Sequence, residues 1–299
     1  MSATRQGEPM AEPVEIFEVG PRDGLQNEAR MIPAADKIAL IDLLSTAGFR
    51  RIEAASFVSP KWVPQMADGA EVLAGIRRAP GVRHAALTPN LKGYERARAA
   101  GADEVAIFAA ASEGFSKANL NATIAESLAR FAPVAEAARR DGVALRGYVS
   151  CVSDCPHDGP VAPGAVARVA AALREMGCYE ISLGDTIGQG TPERIDAMLA
   201  AVTGTIPCGQ LAGHYHDTAG RALDNIEVSL ARGVRVFDAA AGGLGGCPFA
   251  PGAAGNVATE RVADRLAALG FATGLDDAVL ARAAAMARGL RDQRGSDDV

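Results

Sequence analysis

The sequence predicts a single α/β domain folded as a closed (β/α)8 TIM barrel with a short C-terminal helical extension. Two observations lead there: eight short apolar runs alternate with longer amphipathic ones along 299 residues, and the unusual polar residues follow the ends of those runs. Strands that alternate with helices need crossover connections and therefore lie parallel in one sheet. Eight such units in a chain of this length close into a barrel. An open doubly wound sheet is the competing arrangement, but no Gly-rich dinucleotide fingerprint follows the first run.

In chain order, the first strand is expected over 14–19 (VEIFEV). A helix follows over 33–48, with Pro33 suited to its first turn and Gly48 to its end. The next strands are expected over 51–56, 83–88, 104–109, 144–152 and 179–184. Thr191 then caps a helix that has Pro192 at its first position. The seventh strand is expected over 210–216, with a helix over 219–233 that closes on Gly233, and the eighth over 235–240. The helix-like stretch 275–290 is the extension. The barrel domain spans 13–290, and 1–12 and 291–299 read as flexible tails.

Composition narrows the partners. Hydrophobic residues make up 48% and charged residues 22%, enough for a large core. The net charge of -6, with no basic cluster, argues against nucleic acid and against an anionic membrane surface. No apolar run approaches the roughly 18 residues of a membrane span. The N-terminal stretch lacks the apolar segment of a secretory signal. The five cysteines are odd in number and scattered, which suits a reducing, cytoplasmic setting.

In barrels of this kind the chemistry sits on the loops after the C-terminal ends of the strands. Arg22 and Asp23 follow the first strand, Glu53 lies in the second, Asp185 ends the sixth, and His214 and His216 end the seventh. His214 and His216 are two apart in a strand, so both imidazoles point to one face and can converge on a cation. Asp23 across the mouth supplies a carboxylate, and Asn256 is a candidate fourth donor. This mixed nitrogen and oxygen set suits Mg²⁺ or Mn²⁺, while two histidines and a carboxylate also hold Fe(II) or Zn²⁺. Arg22, steadied by Glu53, is placed to stabilise a developing oxyanion. Cys247 lies in a Gly-rich loop with the composition of a flap that closes over a ligand. Cys151 and Cys155, with His157 nearby, have no second ligand cluster and read as structural.

Four stretches together resemble one family. They are Gly-Pro-Arg22-Asp23-Gly-Leu-Gln26-Asn27-Glu28, Glu53-Ala-Ala-Ser56 through Lys61-Trp62-Val-Pro-Gln65-Met66, Gly213-His214-Tyr215-His216-Asp217-Thr218, and Gly243-Leu-Gly-Gly-Cys247-Pro. In this order and spacing they are similar to the landmarks of the hydroxymethylglutaryl-CoA lyases, within the DRE-TIM metallolyases. The resemblance implies that Asp23, His214, His216 and Asn256 hold a divalent cation, Mg²⁺ or Mn²⁺. It makes Arg22 the group that neutralises a thioester enolate, Cys247 the acid that protonates it, and Glu53 the support of Arg22, with Asp23 or His214 as base. It assigns Gln26 and Asp185 to the polar lining of the substrate site. Lys117 and Asn119, with Arg146 and Tyr148, are placed toward the CoA arm.

The implied reaction is retro-aldol cleavage of 3-hydroxy-3-methylglutaryl-CoA to acetyl-CoA and acetoacetate by a homodimer. A lyase for a related thioester, such as the isohexenyl one, is the alternative. A Claisen-type condensing synthase ranks lower, because such enzymes usually carry a further domain and lack the Gly-rich cysteine loop. The chain departs from the family pattern at Ala29, at Ala240-Ala241-Gly242 and at Phe249. These changes predict a reshaped flap that tolerates bulkier groups at C3 of the substrate.

Overall fold

The computed structural model describes the backbone of residues 11–292 apart from Ala29, Pro248 and Phe249, and the side chains of that range apart from 246–254 and Asp292. The strands are β1 (Glu15–Glu18), β2 (Arg51–Ser56), β3 (Arg83–Leu87), β4 (Glu104–Ala110), β5 (Ala144–Ser150), β6 (Glu180–Asp185), β7 (Leu211–Tyr215) and β8 (Val236–Ala239). Each pairs in parallel with the next, and β8 returns to β1 to close the barrel. All eight fall on the runs expected from the sequence.

The helices are α1 (Ala34–Leu44), α2 (Gly69–Gly75), α3 (Leu91–Ala99), α4 (Glu113–Leu120), α5 (Ile124–Arg140), α6 (Pro163–Glu175), α7 (Pro192–Val202), α8 (Ala222–Ala231), α9 (Thr259–Ala268) and α10 (Asp277–Asp292). Local chemistry sets their ends. The Thr191 side chain accepts from the Arg194 N–H, and Thr123 forms a reciprocal capping box with Glu126. Gly48 and Gly233 take φ of +98° and +96° just beyond α1 and α8, where the chain reverses toward the next strand.

The core lies between barrel and helices. Leu40, Ile41 and Leu44 of α1, Phe131 and Val134 of α5, and Ile195, Met198, Leu199 and Val202 of α7 are buried against the outer faces of the strands. Inside the barrel the filling is largely polar. Arg51 donates to Glu15 and Glu180, Arg146 to Glu180 and Asp238, and the Arg146 guanidinium sits 4.3 Å from the Phe17 ring centroid. The ends differ slightly from expectation. Glu12–Pro13 forms a short parallel pair with Phe271–Ala272, so Glu12 belongs to the fold and not to a tail. Helix α10 runs on to Asp292, two residues past the predicted domain end, and packs on α1, α9 and the start of the loop after β8.

Candidate active site

Val19 follows β1, and its carbonyl accepts from three successive N–H groups, those of Arg22, Asp23 and Gly24. The result is a π-helical turn over Gly20–Gly24, a wide turn often found at functional sites. It aims Arg22 and Asp23 into the barrel mouth. A Cβ on Gly24 would lie 2.6 Å from Leu244 Cβ, so glycine lets this turn pack against the loop after β8.

Glu53 reaches Arg22 from the neighbouring strand. The pairing of β2 with β3 slips between Glu53 and Ala55, a bulge beside the site. Arg22 Nε donates to Glu53 Oε2 at 2.7 Å, and Nη1 donates to Asp23 Oδ1 at 2.5 Å. Burial disfavours the charge on Arg22, but Glu53 and Asp23 outweigh it and hold the guanidinium protonated. Glu53 is wholly buried, its carboxyl is raised above the usual carboxylate range by that burial, and its Oε1 has no partner among the described residues.

The ring nitrogens of His214 and His216 and a carboxylate oxygen of Asp23 lie within 4.8 Å of one another. Asp23 Oδ2 is 3.8 Å from His214 Nε2 and 3.9 Å from His216 Nε2. An antiparallel bridge sets Asn256 beside His216, and the Asn256 amide nitrogen donates to Asp23 Oδ2 at 2.8 Å. A half-turn of that amide would present its oxygen in the same place. Two imidazoles, a carboxylate and an amide oxygen make a donor set suited to a divalent cation, and the residues present fit such an ion.

One of the two imidazoles is oriented from behind. His214 Nδ1 lies 3.1 Å from Asp238 Oδ2, which fixes a proton there and turns the Nε2 lone pair toward Asp23. Asp238 is itself held by Ser182 and by a bidentate Arg146. Burial works against the charge on His214, but the Asp238 hydrogen bond with the charges of Asp23 and Asp238 raises its pKa. Burial and the neighbouring His214 lower His216 to about 4. Burial would raise Asp23, yet Arg22 and the two imidazoles hold it well below the usual carboxylate range.

A model of the HMGL-like family matches residues 13–287. The chain belongs to that family. It is 59% identical over 263 residues, 88% of each chain, to the 3-hydroxy-3-isohexenylglutaryl-CoA/hydroxy-methylglutaryl-CoA lyase of Pseudomonas aeruginosa. The HMG-CoA lyase of Brucella melitensis superposes with a TM-score of 0.94 at 64% identity, covering 95% of this chain and 100% of that one. An HMG-CoA lyase of Acenitobacter baumannii, solved with coenzyme A and 3-methylmalate, superposes at 0.88 with 37% identity, covering 96% and 97%.

Within this HMGL-like barrel, Arg22, Asp23, Glu53, His214, His216 and Asn256 come together as the sequence suggested. Gln26 is half-buried one turn beyond, and Lys117 and Asn119 are exposed on α4, which follows β4. Two expected positions are corrected. Arg146 is fully enclosed in the barrel, its guanidinium engaged by Glu180 and Asp238, and is closed to a CoA arm. Asp185 is equally enclosed, accepting from Ser153 Oγ at 2.9 Å and the Gly190 N–H at 2.8 Å, so it fastens the loop after β6 instead of lining the substrate site.

Tyr148 also departs from expectation. Its ring meets His214 edge-on, with centroids 6.2 Å apart, and stands 5.6 Å from the Arg22 guanidinium. It faces the cluster of Asp23, His214 and His216 rather than a distant arm, and its buried hydroxyl has no partner among the described residues. Gln65 has a structural task, its side chain accepting from Ile32 N–H and donating to the carbonyls of Glu28 and Arg30 behind the Arg22 turn.

Ala240, Ala241 and Gly242, expected to loosen the flap, are buried at its stem, and Gly242 packs against α10. The backbone of Gly246–Cys247 pairs antiparallel with Ala250–Ala254. The Cys247 thiol, Ala29 and Phe249 lie outside the described residues. Sequence reasoning missed Asp238, Glu18 and Glu180. Asp238 is the one acid of β8, while Glu18 shares β1 with Glu15 and Glu180 shares β6 with Asp185. In each case the sequence signal is a carboxylate in an otherwise apolar run whose partners lie far along the chain.

Proposed function

We propose that this chain cleaves 3-hydroxy-3-methylglutaryl-CoA to acetyl-CoA and acetoacetate. The observation that carries the reading is a cluster of Asp23, His214 and His216 directly beside an Arg22 locked between two carboxylates. Asp23, His214 and His216, with Asn256, would hold Mg²⁺ or Mn²⁺, which when bound polarises the C3 hydroxyl and an adjacent oxygen.

The chain's own groups then do the rest. The C3 hydroxyl proton is taken within the cluster, by Asp23 or His214, as the C2–C3 bond breaks. The C3 oxygen becomes the ketone of acetoacetate, and the bonding electrons move to the thioester as the enolate of acetyl-CoA. Arg22 stabilises that negative oxygen. Cys247 gives a proton to C2, and the proton first taken from the hydroxyl restores the thiol, so nothing is consumed. The Tyr148 hydroxyl, which has no partner among the described residues, stands beside Arg22 and His214 and is proposed to meet a polar atom of the substrate. Gln26, Lys117 and Asn119 are proposed as further contacts of the acyl-CoA. Four described free thiols fit a cytoplasmic enzyme, and a homodimer is proposed from the family resemblance.

The isohexenyl thioester stays a second substrate, favoured by the dual lyase activity for which the 59% identical relative is named. One assay tests both. Acetoacetate formation from HMG-CoA should vanish in excess chelator and return with Mg²⁺ or Mn²⁺, and full turnover in a metal-free sample would refute the reading. A preference for the isohexenyl thioester above about a hundredfold in kcat/KM, more than one or two apolar contacts supply, would change the substrate and keep the reaction.

A further inference from the structure

Glu18 ends β1 and is wholly buried. Among the described residues no hydrogen bond or ion pair joins it to Arg22, Asp23, His214 or His216, and the proposed mechanism makes no use of it. Its hydrogen bonds are nevertheless spread over the whole site. Oε1 accepts the Gly20 N–H at 2.8 Å and the Ala241 N–H at 2.9 Å, and Oε2 accepts the Thr259 hydroxyl at 2.7 Å.

The three donors belong to three segments. Gly20 opens the turn that carries Arg22 and Asp23. Ala241 opens the loop that leads to Cys247. Thr259 opens α9, three residues after Asn256. Residue 20 is built for this contact, because a Cβ there would lie 2.5 Å from Glu18 Oε1. The next amide of the loop stem, Gly242 N–H, is accepted by Glu260 at 3.0 Å, and Glu260 is paired with Arg288 of α10 at 2.8 Å. The stem is thus pinned on successive residues.

We propose that Glu18 is a positioning residue for the lyase reaction, a single buried side chain that holds the Arg22–Asp23 turn, the stem of the Cys247 loop and the Asn256 segment in one arrangement. The inference rests on the function proposed above. The clamp needs an acceptor at Oε1, to meet two N–H donors, but not a charge. Thr259 can accept as readily as donate, so a neutral side chain with one oxygen satisfies all three contacts. Burial, working against the three hydrogen bonds, already lifts this carboxyl to about 7.

Three variants test it, Glu18→Gln, Glu18→Met and Thr259→Val, read by steady-state kinetics, Mn²⁺ titration of metal-stripped protein and amide hydrogen exchange. Glu18→Gln should keep kcat within about threefold and keep protection at 19–25 and 239–245. Glu18→Met should lose on the order of a hundredfold in kcat, the cost of misplacing groups by about 1 Å, with a much smaller change in KM. Its exchange should rise at both distant segments together, with β4 and β5 unchanged and Mn²⁺ binding weakened. Thr259→Val, which removes one arm, should lie between. The proposal is overturned if the Met variant retains kcat, if Glu18→Gln is as impaired as Met, or if exchange rises only at 19–25. Should the Met variant not fold, unchanged kcat and exchange in Thr259→Val would overturn it equally. An inactive wild type would instead refute the proposed reaction, while exchange and Mn²⁺ binding would still decide on the clamp.

Discussion

Arg22 lies between two carboxylates that restrain it differently. Glu53 takes Nε and Nη2 from the side and sets the plane of the guanidinium, while Asp23 takes Nη1 and ties it to the cluster with His214 and His216. Arg22→Gln keeps a donor but loses the charge and the fork. Steady-state kinetics should show kcat lowered by roughly 10²–10³-fold, with Mn²⁺ affinity little changed. Glu53, already raised by burial, can take up a proton in that variant, so the fold should persist. Cys247→Ser should likewise fold and bind metal but lose most turnover, because a hydroxyl is a far weaker acid. Mass mapping after alkylation of the wild type should find Cys247 labelled and shielded by a substrate analogue. Cys151 and Cys178, buried and pushed up to about 12, should stay unlabelled. Labelling of Cys151 as the inactivating event would move the acid elsewhere.

Elements carry the site through their irregular parts. The π-helical turn after β1 and the bulge in β2 are departures from ideal geometry that bring Arg22 and Glu53 together, whereas the regular parts of the same strands only support them. Stability depends on pH at a seam between elements away from the site. His84 of β3 is buried beneath the end of α1, with Nε2 3.2 Å from Ser45 Oγ and Nδ1 3.6 Å from Asp103. Burial lowers its pKa below 6.5, the Asp103 charge opposing it only in part. Below 6.5 the unfolded chain binds a proton that the folded one refuses. Stability present at neutral pH is therefore lost as pH falls from 6.5 toward the folded pKa. Denaturation midpoints measured across that window should drop less for His84→Phe than for the wild type, and equal drops would show that other groups govern the acid side.

At the scale of the whole barrel, an ion-paired chain runs up the interior from Glu15 through Arg51, Glu180, Arg146 and Asp238 to His214. It couples the floor of the molecule to His214 of the candidate cation site. Arg146→Met leaves Asp238 buried without its bidentate partner and should destabilise the fold by about 3–5 kcal/mol, the usual consequence of breaking a buried pair. Arg146→Met with Asp238→Asn should recover part of that in denaturant unfolding, because no lone charge remains. A single variant as stable as the wild type would mean that the interior tolerates the isolated carboxylate.

The sequence by itself determined what depends on local periodicity. Eight apolar runs alternating with helical ones specify parallel strands, and His214-x-His216 puts two imidazoles on one face whatever surrounds them. The Arg22-Asp23 pair was legible for the same reason, since it is a short motif whose meaning is carried by its neighbours in sequence. Parity also places Arg146 and Tyr148 on one face, but it is silent on depth. Only barrel closure set Arg146 in the enclosed network and Tyr148 beside His214. The same holds for the acids. Asp238, Glu18 and Asp185 look alike along the chain, yet one orients His214, one joins three segments and one fastens a loop. Their partners lie 24, 223 and 5 residues away. A carboxylate takes its role from the donors around it, and strand stagger and closure decide which donors those are.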